Sequence, residues 1–158
     1  MPSPLADNEA PGSPGAFFFM AEHVLSAGVV VVRRADDGWR VLLLRVYNYW
    51  DFPKGRVESG EDALTTARRE TREETTLDDL EFTWGESFID TAPYGREKKV
   101  ARYFVARTST ERISLPVNPE LGKPEHHEWQ WYDWETASLR VPERLVPVLN
   151  WAQGHVEG

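Results

Sequence analysis

Two apolar runs separated by a tight turn leave this chain few choices of fold. Residues 29–32 are four consecutive valines, and residues 41–44 form a second apolar run. Continuous runs of β-branched and aliphatic residues favour strands that are buried on both faces. The Asp-Gly pair at residues 37–38 is typical of a tight hairpin. We therefore predict strands at residues 24–34 and 39–46, inside a covered sheet.

The rest of the chain supplies further strands and two helices. A helix is predicted over residues 58–76, with Ser59 as its N-cap and Asp62 as the capping-box acid. Because Pro147 lies inside the predicted terminal helix, we expect a kink there. The remaining elements are predicted strands at residues 80–90, 98–108 and 128–134 and the terminal helix at residues 143–152. Strands around one helix, with another helix at the end, indicate an α/β fold with a mixed sheet between helices.

Three segments lack a regular pattern. Residues 47–55 are aromatic and rich in turn formers, and residues 113–124 are interrupted by prolines, so both are predicted to be loops. Residues 1–16 are rich in proline, without apolar periodicity, and we expect a disordered tail, with Met20 as an alternative start. A single domain over residues 20–155 is the predicted organisation.

Composition narrows the classes of function. The chain has 158 residues and no cysteine, which excludes a disulfide scaffold, a thiolate zinc site and a cysteine nucleophile. No apolar run approaches the roughly 18 residues of a membrane helix, so we expect no membrane association and a cytoplasmic protein. The formal net charge of −8 disfavours duplex nucleic acid as a partner. We expect a monomer or a weak homodimer.

The predicted helix carries three glutamates close together. At about 100° per residue, Glu70 and Glu74 fall roughly 20° on either side of Ala63, and Glu73 lies near −80°. Like charges at the margin of a buried stripe are costly unless arginines or a divalent cation offset them. One interpretation is a solvated face with ion pairs to the interleaved arginines. The other is a site for Mg²⁺, which prefers oxygen ligands.

The loop that precedes this helix favours the metal interpretation. Lys54 and Gly55 end a loop that bends back towards the helix, and they supply one cation and one backbone carbonyl. In an acidic chain, a phosphate compound needs local cations, and a metal ion can bridge glutamates to a phosphate group.

The spacing of these residues resembles the signature box of the Nudix hydrolases. Seven of the nine specified positions match it, namely Gly55, Glu61, Arg69, Glu70, Glu73, Glu74 and Leu77. Thr71 stands where the box has a bulky aliphatic residue, and Thr76 stands where it has a glycine. Since that glycine accommodates a tight turn after the helix, we expect Thr76 to adopt a different geometry there.

The resemblance implies a Nudix-like α/β/α sandwich and hydrolysis of a nucleoside diphosphate linked to another group. It implies Mg²⁺ as the cofactor, with Mn²⁺ as a substitute, and a small nucleotide as the substrate. The implied metal ligands are Glu70, Glu73, Glu74 and the Gly55 carbonyl. Arg69 would orient the glutamates, and the implied candidates for the general base are Glu70, Glu73 and Glu125.

Flanking residues resemble the branch of this family that splits diadenosine tetraphosphate into ATP and AMP. Residues 50–62, Thr71, and Glu125-His126 followed by Trp131 carry this likeness. The implied substrate contacts are Trp50, Lys54, Tyr94, Lys98, Lys99 and Tyr103. Tyr94 would stack on an adenine ring. The alternatives are a loop-tip aromatic for Tyr94 and solvated side chains for the two adjacent lysines.

Other functions stay open. A related Nudix branch removes pyrophosphate from the 5′ end of RNA, but it tends to have Gln where Lys54 stands, and the acidic charge suits RNA poorly. Pyrophosphohydrolysis of nucleoside triphosphates is a further alternative within the family. A nucleotide-binding sensor without catalysis is the alternative from another class, and the three intact glutamates disfavour it.

Overall fold

The computed structural model describes residues 24–158. The strands are β1 (Val24–Ala35), β2 (Gly38–Val46), β3 (Tyr49–Asp51), β4 (Lys54–Arg56), β5 (Ile89–Asp90), β6 (Lys99–Arg107), β7 (Val117–Asn118), β8 (Lys123–Pro124) and β9 (Glu128–Tyr132). The helices are α1 (Ala63–Thr75), α2 (Trp134–Arg140) and α3 (Val146–Glu157), and a 3₁₀ turn (Glu143–Leu145) precedes α3.

Seven of these strands form one mixed sheet. Strands β3, β2, β1, β6 and β5 are consecutive neighbours, while β4 pairs with β1 and β9 pairs with β2. Strand β1 is parallel to β6 and antiparallel to β2 and β4. Residues 26–28 of β1 pair with β4, and residues 32–35 pair with β2. Between these two pairings the Val29 amide donates to the Pro53 carbonyl at 3.2 Å, which brings β4 against the sheet.

Alternate valines of β1 belong to two separate cores. Val29 and Val31 pack with Ala67 of α1 on one face of the sheet. Val30 and Val32 pack on the other face with residues of α2 and α3. All four valines are fully buried. The predicted α/β fold with a mixed sheet between helices is therefore confirmed.

Helix α1 starts later than predicted. Its N-cap is Asp62, whose side chain accepts a hydrogen bond from the Thr65 amide at 2.8 Å. The prediction of Ser59 as the N-cap is wrong, because Gly60 adopts a φ of 86° and takes the chain out of a helical path. The capping hydrogen bond therefore forms three residues further along the chain than predicted.

The strand predicted at residues 80–90 is mostly irregular. Glu81 forms an isolated bridge with Arg107, and only β5 at its far end pairs with β6. Between them the Gly85 amide donates to the Phe82 carbonyl at 3.0 Å, and Gly85 has a φ of 95°. This turn lifts the chain away from the sheet, so the strand prediction is wrong for the central residues.

The C-terminal region also differs from the prediction. Helix α2 is not among the predicted elements, and it begins at the end of the predicted strand over residues 128–134. Asp133 caps this helix, because its side chain accepts a hydrogen bond from the Thr136 amide at 2.8 Å. Pro147 lies in the first turn of α3, where a missing amide hydrogen is tolerated. It therefore lies at the start of the helix and not inside it, and the expected kink does not arise.

Both predicted loops contain short strands: β3 and β4 occur near residues 47–56, and β7 and β8 pair as a hairpin within residues 113–124. The predicted tail and the alternative start at Met20 lie outside the described residues. The domain boundaries at residues 20 and 155 stay predictions. Among residues 24–158, no helix has the length and apolar character that crossing a membrane requires.

Candidate active site

Strand β4 lies directly against helix α1, and the two elements together form one side of the candidate site. Gly55 pairs with Ala27 of β1, and a side chain at position 55 would overlap the carboxyl group of Glu70. Only a glycine leaves room for this approach. The predicted loop and the predicted helix therefore meet at Gly55 and Glu70.

Glu74 is the buried member of the glutamate cluster. The residue is 7% exposed, and its Oε2 atom has no hydrogen-bond partner among residues 24–158. Its Oε1 atom accepts a long hydrogen bond of 3.4 Å from the Lys54 amide. Burial, together with the Glu125 and Glu70 carboxylates, raises the pKa of Glu74 well above its ordinary value. A cation bound here would satisfy the free oxygen and reduce the repulsion.

Arg69 connects the helix glutamates to the preceding loop. Its guanidinium donates to Glu61 at 2.7 and 2.9 Å, to Glu70 at 3.0 Å and to Glu73 at 3.3 Å. Glu61 also accepts from the Thr66 hydroxyl at 2.6 Å. These hydrogen bonds lower the pKa of Glu61 to about 2. The geometry suits the orienting role predicted for Arg69.

Two further carboxylates are more accessible. The Glu73 side chain is 54% exposed and is directed at Arg69. Partial burial and the Glu70 charge raise the pKa of Glu125. Within residues 24–158, no three His, Cys, Asp or Glu side chains form a ready-made metal cluster. The donors nevertheless are all oxygen atoms, and with the unsatisfied Glu74 oxygen they fit a hard divalent cation.

A cavity of about 900 Å³ opens beside these carboxylates. One wall is formed by β4 and α1, and the opposite wall is formed by the β7–β8 hairpin and the residues that follow it. Glu125 and His126 lie on this second wall. The volume is sufficient for a nucleotide-sized ligand.

A second cavity of about 390 Å³ lies on the other side of Lys54, which lines both. The Lys54 ammonium group is 3.2 Å from Oδ2 of Asp51. Burial acts to lower the pKa of Lys54, but the charge and hydrogen bond of Asp51, together with Tyr94 and Glu74, outweigh burial, and the pKa is raised. Lys54 therefore carries a positive charge at the junction of the two cavities at neutral pH.

The predicted substrate residues separate into two groups. Lys54, Tyr94 and Lys99 line the second cavity. Lys98 lines neither cavity, because it occupies the turn before β6 with a φ of 55°. Trp50 also lines neither; its ring packs at 5.4 Å from the Tyr132 ring in an edge-to-face arrangement.

Tyr103 requires a correction. It is fully buried, packs against Phe52 with 5.1 Å between ring centroids, and places its hydroxyl 3.5 Å from Oδ1 of Asp51. Alternation along β6 turns Tyr103 into the core, so its side chain does not reach either cavity as predicted. Its hydroxyl contacts Asp51 from the core side of the sheet.

The two departures from the box have different surroundings. Thr71 is fully buried and its hydroxyl lacks a hydrogen-bond partner in the described part of the chain. Thr76 adopts the left-handed conformation with a φ of 63°, and its amide donates to the Arg72 carbonyl at 2.8 Å. The expectation of a different geometry at Thr76 is therefore wrong: the threonine takes the conformation that favours glycine.

Sequence reasoning gave no role to three residues that organise the site. Glu61 matches the box by its position, and the structure makes it the principal partner of Arg69. Asp51 was part of the recognised stretch, but its contacts with Lys54 and Tyr103 depend on the tertiary structure. Arg144, from the 3₁₀ turn before α3, lines the second cavity and carried no sequence signal.

Comparisons with known proteins agree with this geometry. The model of the NUDIX domain matches residues 22–152. A bis(5′-nucleosyl)-tetraphosphatase [asymmetrical] of Caenorhabditis elegans is 32% identical over 120 residues, which cover 72% of this chain and 82% of that protein. An RNA pyrophosphohydrolase of Bartonella henselae is 24% identical over 132 residues, covering 70% and 76%.

A solved structure has a similar fold. A C. elegans Ap4A hydrolase binary complex superposes with a TM-score of 0.68 and 24% identity, covering 84% of this chain and 97% of that one. The family model spans most of the chain, and the matched residues include the contact of β4 and α1 described above. The chain is therefore a member of the Nudix hydrolase family.

Proposed function

We propose that this Nudix protein hydrolyses dinucleoside polyphosphates, with diadenosine tetraphosphate cleaved asymmetrically to ATP and AMP. The observation that carries the proposal is the position of Lys54, which lies between two cavities and beside the carboxylates. A substrate with a chain of four phosphates is long enough to extend past Lys54 into both. The similarity to the C. elegans tetraphosphatase supports this substrate class.

The glutamate cluster would hold the divalent cation. The proposed ligands are Glu70, Glu73, Glu74 and the Gly55 carbonyl, with Mg²⁺ as the ion and Mn²⁺ as a substitute. When bound, the cation neutralises charge at the attacked phosphate and increases the acidity of water. The unsatisfied Oε2 atom of buried Glu74 supports this assignment.

Two cationic side chains have different tasks in the proposal. Arg69 keeps Glu70 and Glu73 in place through its hydrogen bonds with both. Lys54 binds a phosphate oxygen, and its pairing with Asp51 fixes the direction of its ammonium group. The substrate is thus positioned by charge, which is the main task of a protein in phosphoryl transfer.

Of the three candidates for the general base, we favour Glu125. Glu70 and Glu73 both contact the Arg69 guanidinium, whereas Glu125 forms no ion pair in the described residues. It lies on the wall of the large cavity opposite α1, and its raised pKa brings it closer to the useful range for proton transfer.

Product analysis in ¹⁸O-labelled water tests the proposal. The protein is incubated with diadenosine tetraphosphate and Mg²⁺, and the products are separated and weighed by mass spectrometry. We expect ATP and AMP, with the label in only one of them, and complete loss of turnover in excess EDTA. Two molecules of ADP, or no turnover with metal present, would contradict the asymmetric reaction.

Removal of pyrophosphate from the 5′ end of RNA is the second candidate. The similarity to RNA pyrophosphohydrolases favours it. A 5′-triphosphorylated oligoribonucleotide, assayed at the same concentration, separates the two: we expect a kcat/KM at least about tenfold lower than with diadenosine tetraphosphate. The reverse order would make RNA the substrate. Nucleotide binding without turnover of either substrate would favour a sensor.

A further inference from the structure

The second cavity has an excess of positive charge in an acidic protein. Three cationic side chains line it, Lys54, Lys99 and Arg144, against one carboxylate, that of Asp51. Lys99 forms no ion pair within residues 24–158. The formal net charge of the whole chain is −8, so this local surplus has the opposite sign to the protein as a whole.

Asp51 is already occupied by other donors. Its Oδ1 atom accepts from the Phe52 amide at 2.7 Å and lies 3.5 Å from the Tyr103 hydroxyl. Its Oδ2 atom lies 3.2 Å from the Lys54 ammonium, but 4.0 Å from Nη2 of Arg144. The Nε atom of Arg144 is buried without a hydrogen-bond partner among residues 24–158. Arg144 therefore retains donors that the protein does not use.

The position of Arg144 is set by its neighbours. Its guanidinium lies 4.3 Å above the centre of the Tyr94 ring. Leu145, the next residue, is fully buried, and Pro142 immediately precedes the 3₁₀ turn that carries Arg144. The side chain itself is 33% exposed. A guanidinium held in this way can bind an anion with a small loss of conformational entropy.

We propose that the second cavity is a phosphate-binding subsite and that Arg144 is its principal ligand, acting with Lys99. The subsite would take a phosphate group of an oligophosphate chain on the far side of Lys54 from the glutamates. An arginine fork matches two phosphate oxygens, and such charge-assisted hydrogen bonds are the stronger kind. The assignment of the subsite to a phosphate of the oligophosphate substrate rests on the proposed function, but the proposal that the cavity binds an anion does not.

The same contact changes the expectation for Tyr94. Arg144 covers one face of the Tyr94 ring, so an adenine ring stacks there only if Arg144 moves. In this arrangement Tyr94 supports the guanidinium by a cation–π contact and Arg144 meets the substrate.

A binding experiment tests the subsite without turnover. Inorganic tripolyphosphate is titrated into ¹⁵N-labelled, metal-free protein in EDTA, and the Arg144 Nε–H signal, assigned from its loss in Arg144→Gln, is followed by NMR. We expect this signal to shift on binding, and the Kd to rise about tenfold in Arg144→Gln. Arg144→Lys should lie between the two, because a lysine binds phosphate only as a point charge.

Arg140→Gln is the matched control. Arg140 is exposed on α2, its guanidinium lies over Tyr132, and it lines neither cavity. Its removal makes the same change in net charge and should leave the Kd within about twofold. If tripolyphosphate affinity falls equally in both variants, the loss reflects net charge and not a specific contact of Arg144. If the Arg144 Nε–H signal does not shift on titration, the proposed subsite is wrong.

A kinetic comparison identifies the source of the phosphate. For Arg144→Gln we expect KM to rise about tenfold with little change in kcat. If the proposed function holds, this change is measured with diadenosine tetraphosphate as the substrate. If RNA is the substrate instead, the same change is measured with 5′-triphosphorylated RNA. If neither substrate reacts while tripolyphosphate binding depends on Arg144, the proposed function fails and the subsite stands. If diadenosine tetraphosphate reacts equally well in wild type and Arg144→Gln, the function stands and the subsite fails.

Discussion

Gly55 and Glu70 meet where strand β4 contacts helix α1, and the space between them admits no side chain at position 55. Gly55 also pairs with Ala27 in the sheet, so the strand cannot withdraw without loss of that pairing. The carboxylate of Glu70 is held from the other side by Arg69 at 3.0 Å. The position of this carboxylate thus depends on the absence of a Cβ atom at residue 55.

Gly55→Ala should damage both the site and the fold. The added methyl group must displace Glu70 or β4, and we expect kcat to fall at least about 10²-fold, and the free energy of unfolding to fall by about 1–3 kcal/mol. Turnover of diadenosine tetraphosphate and urea unfolding measure the two effects. Wild-type activity in this variant would mean that Glu70 moves aside without consequence.

Gly154→Ala is the control for this substitution. Gly154 lies in α3, and a Cβ atom there meets nothing within 4 Å. Alanine should raise the free energy of unfolding by about 0.5–1 kcal/mol because it favours the helix, and it should leave activity unchanged.

Glu73→Gln tests the proposed role of the exposed glutamate. If Glu73 is a metal ligand or the base, kcat should fall about 10²-fold or more, while the unfolding midpoint stays close to that of wild type. The matched control is Glu111→Gln, an exposed glutamate that lines neither cavity. Near-wild-type turnover in Glu73→Gln would remove this residue from the mechanism.

Thr76→Gly should stabilise the protein. A threonine with a φ of 63° is strained, and glycine removes that strain at a helix end. We expect a gain of about 1 kcal/mol, or a rise in Tm of about 3 °C for a domain of this size. Thr76→Ala also removes the hydroxyl but keeps a Cβ atom, so it should give no such gain. Equal Tm values for the glycine and alanine variants would contradict the strain argument.

Asp79 should make stability depend on pH in the acid range. Burial acts to raise its pKa, but hydrogen bonds from the Thr108 and Thr110 hydroxyls and the Ser109 amide outweigh this effect, and the pKa is lowered. A lowered pKa in the folded state means that the contribution is complete above the unfolded value of about 4 and is lost as the pH falls through the folded value.

The measurement is the free energy of unfolding of wild type and Asp79→Asn between about pH 7 and pH 2.5. We expect wild type to be the more stable protein at neutral pH, and the difference to shrink below about pH 4 as the wild-type carboxylate is protonated. A difference that stays constant down to the acid limit would show that Asp79 contributes no charge-dependent stability.

The buried hairpin could be predicted because its signals are local. The valine run and the Asp-Gly turn specify β1 and β2, and alternation along β1 specifies which valines face each layer. The N-cap of α1 shows the limit of such signals. Ser59 and Asp62 are both good capping residues, and the backbone at Gly60 decided between them.

The glutamate cluster and its arginine could be predicted from the residue order, because helical periodicity sets the relative positions of Arg69, Glu70, Glu73 and Glu74 within one element. Three other features depend on long-range packing: the burial of Glu74, the orientation of Tyr103 towards the core, and the position of Arg144 at the cavity beside Lys54. Arg144 lies 90 residues beyond Lys54 in the chain, and no local pattern encodes that proximity. It arises when α3 packs on one face of the sheet and α1 packs on the other.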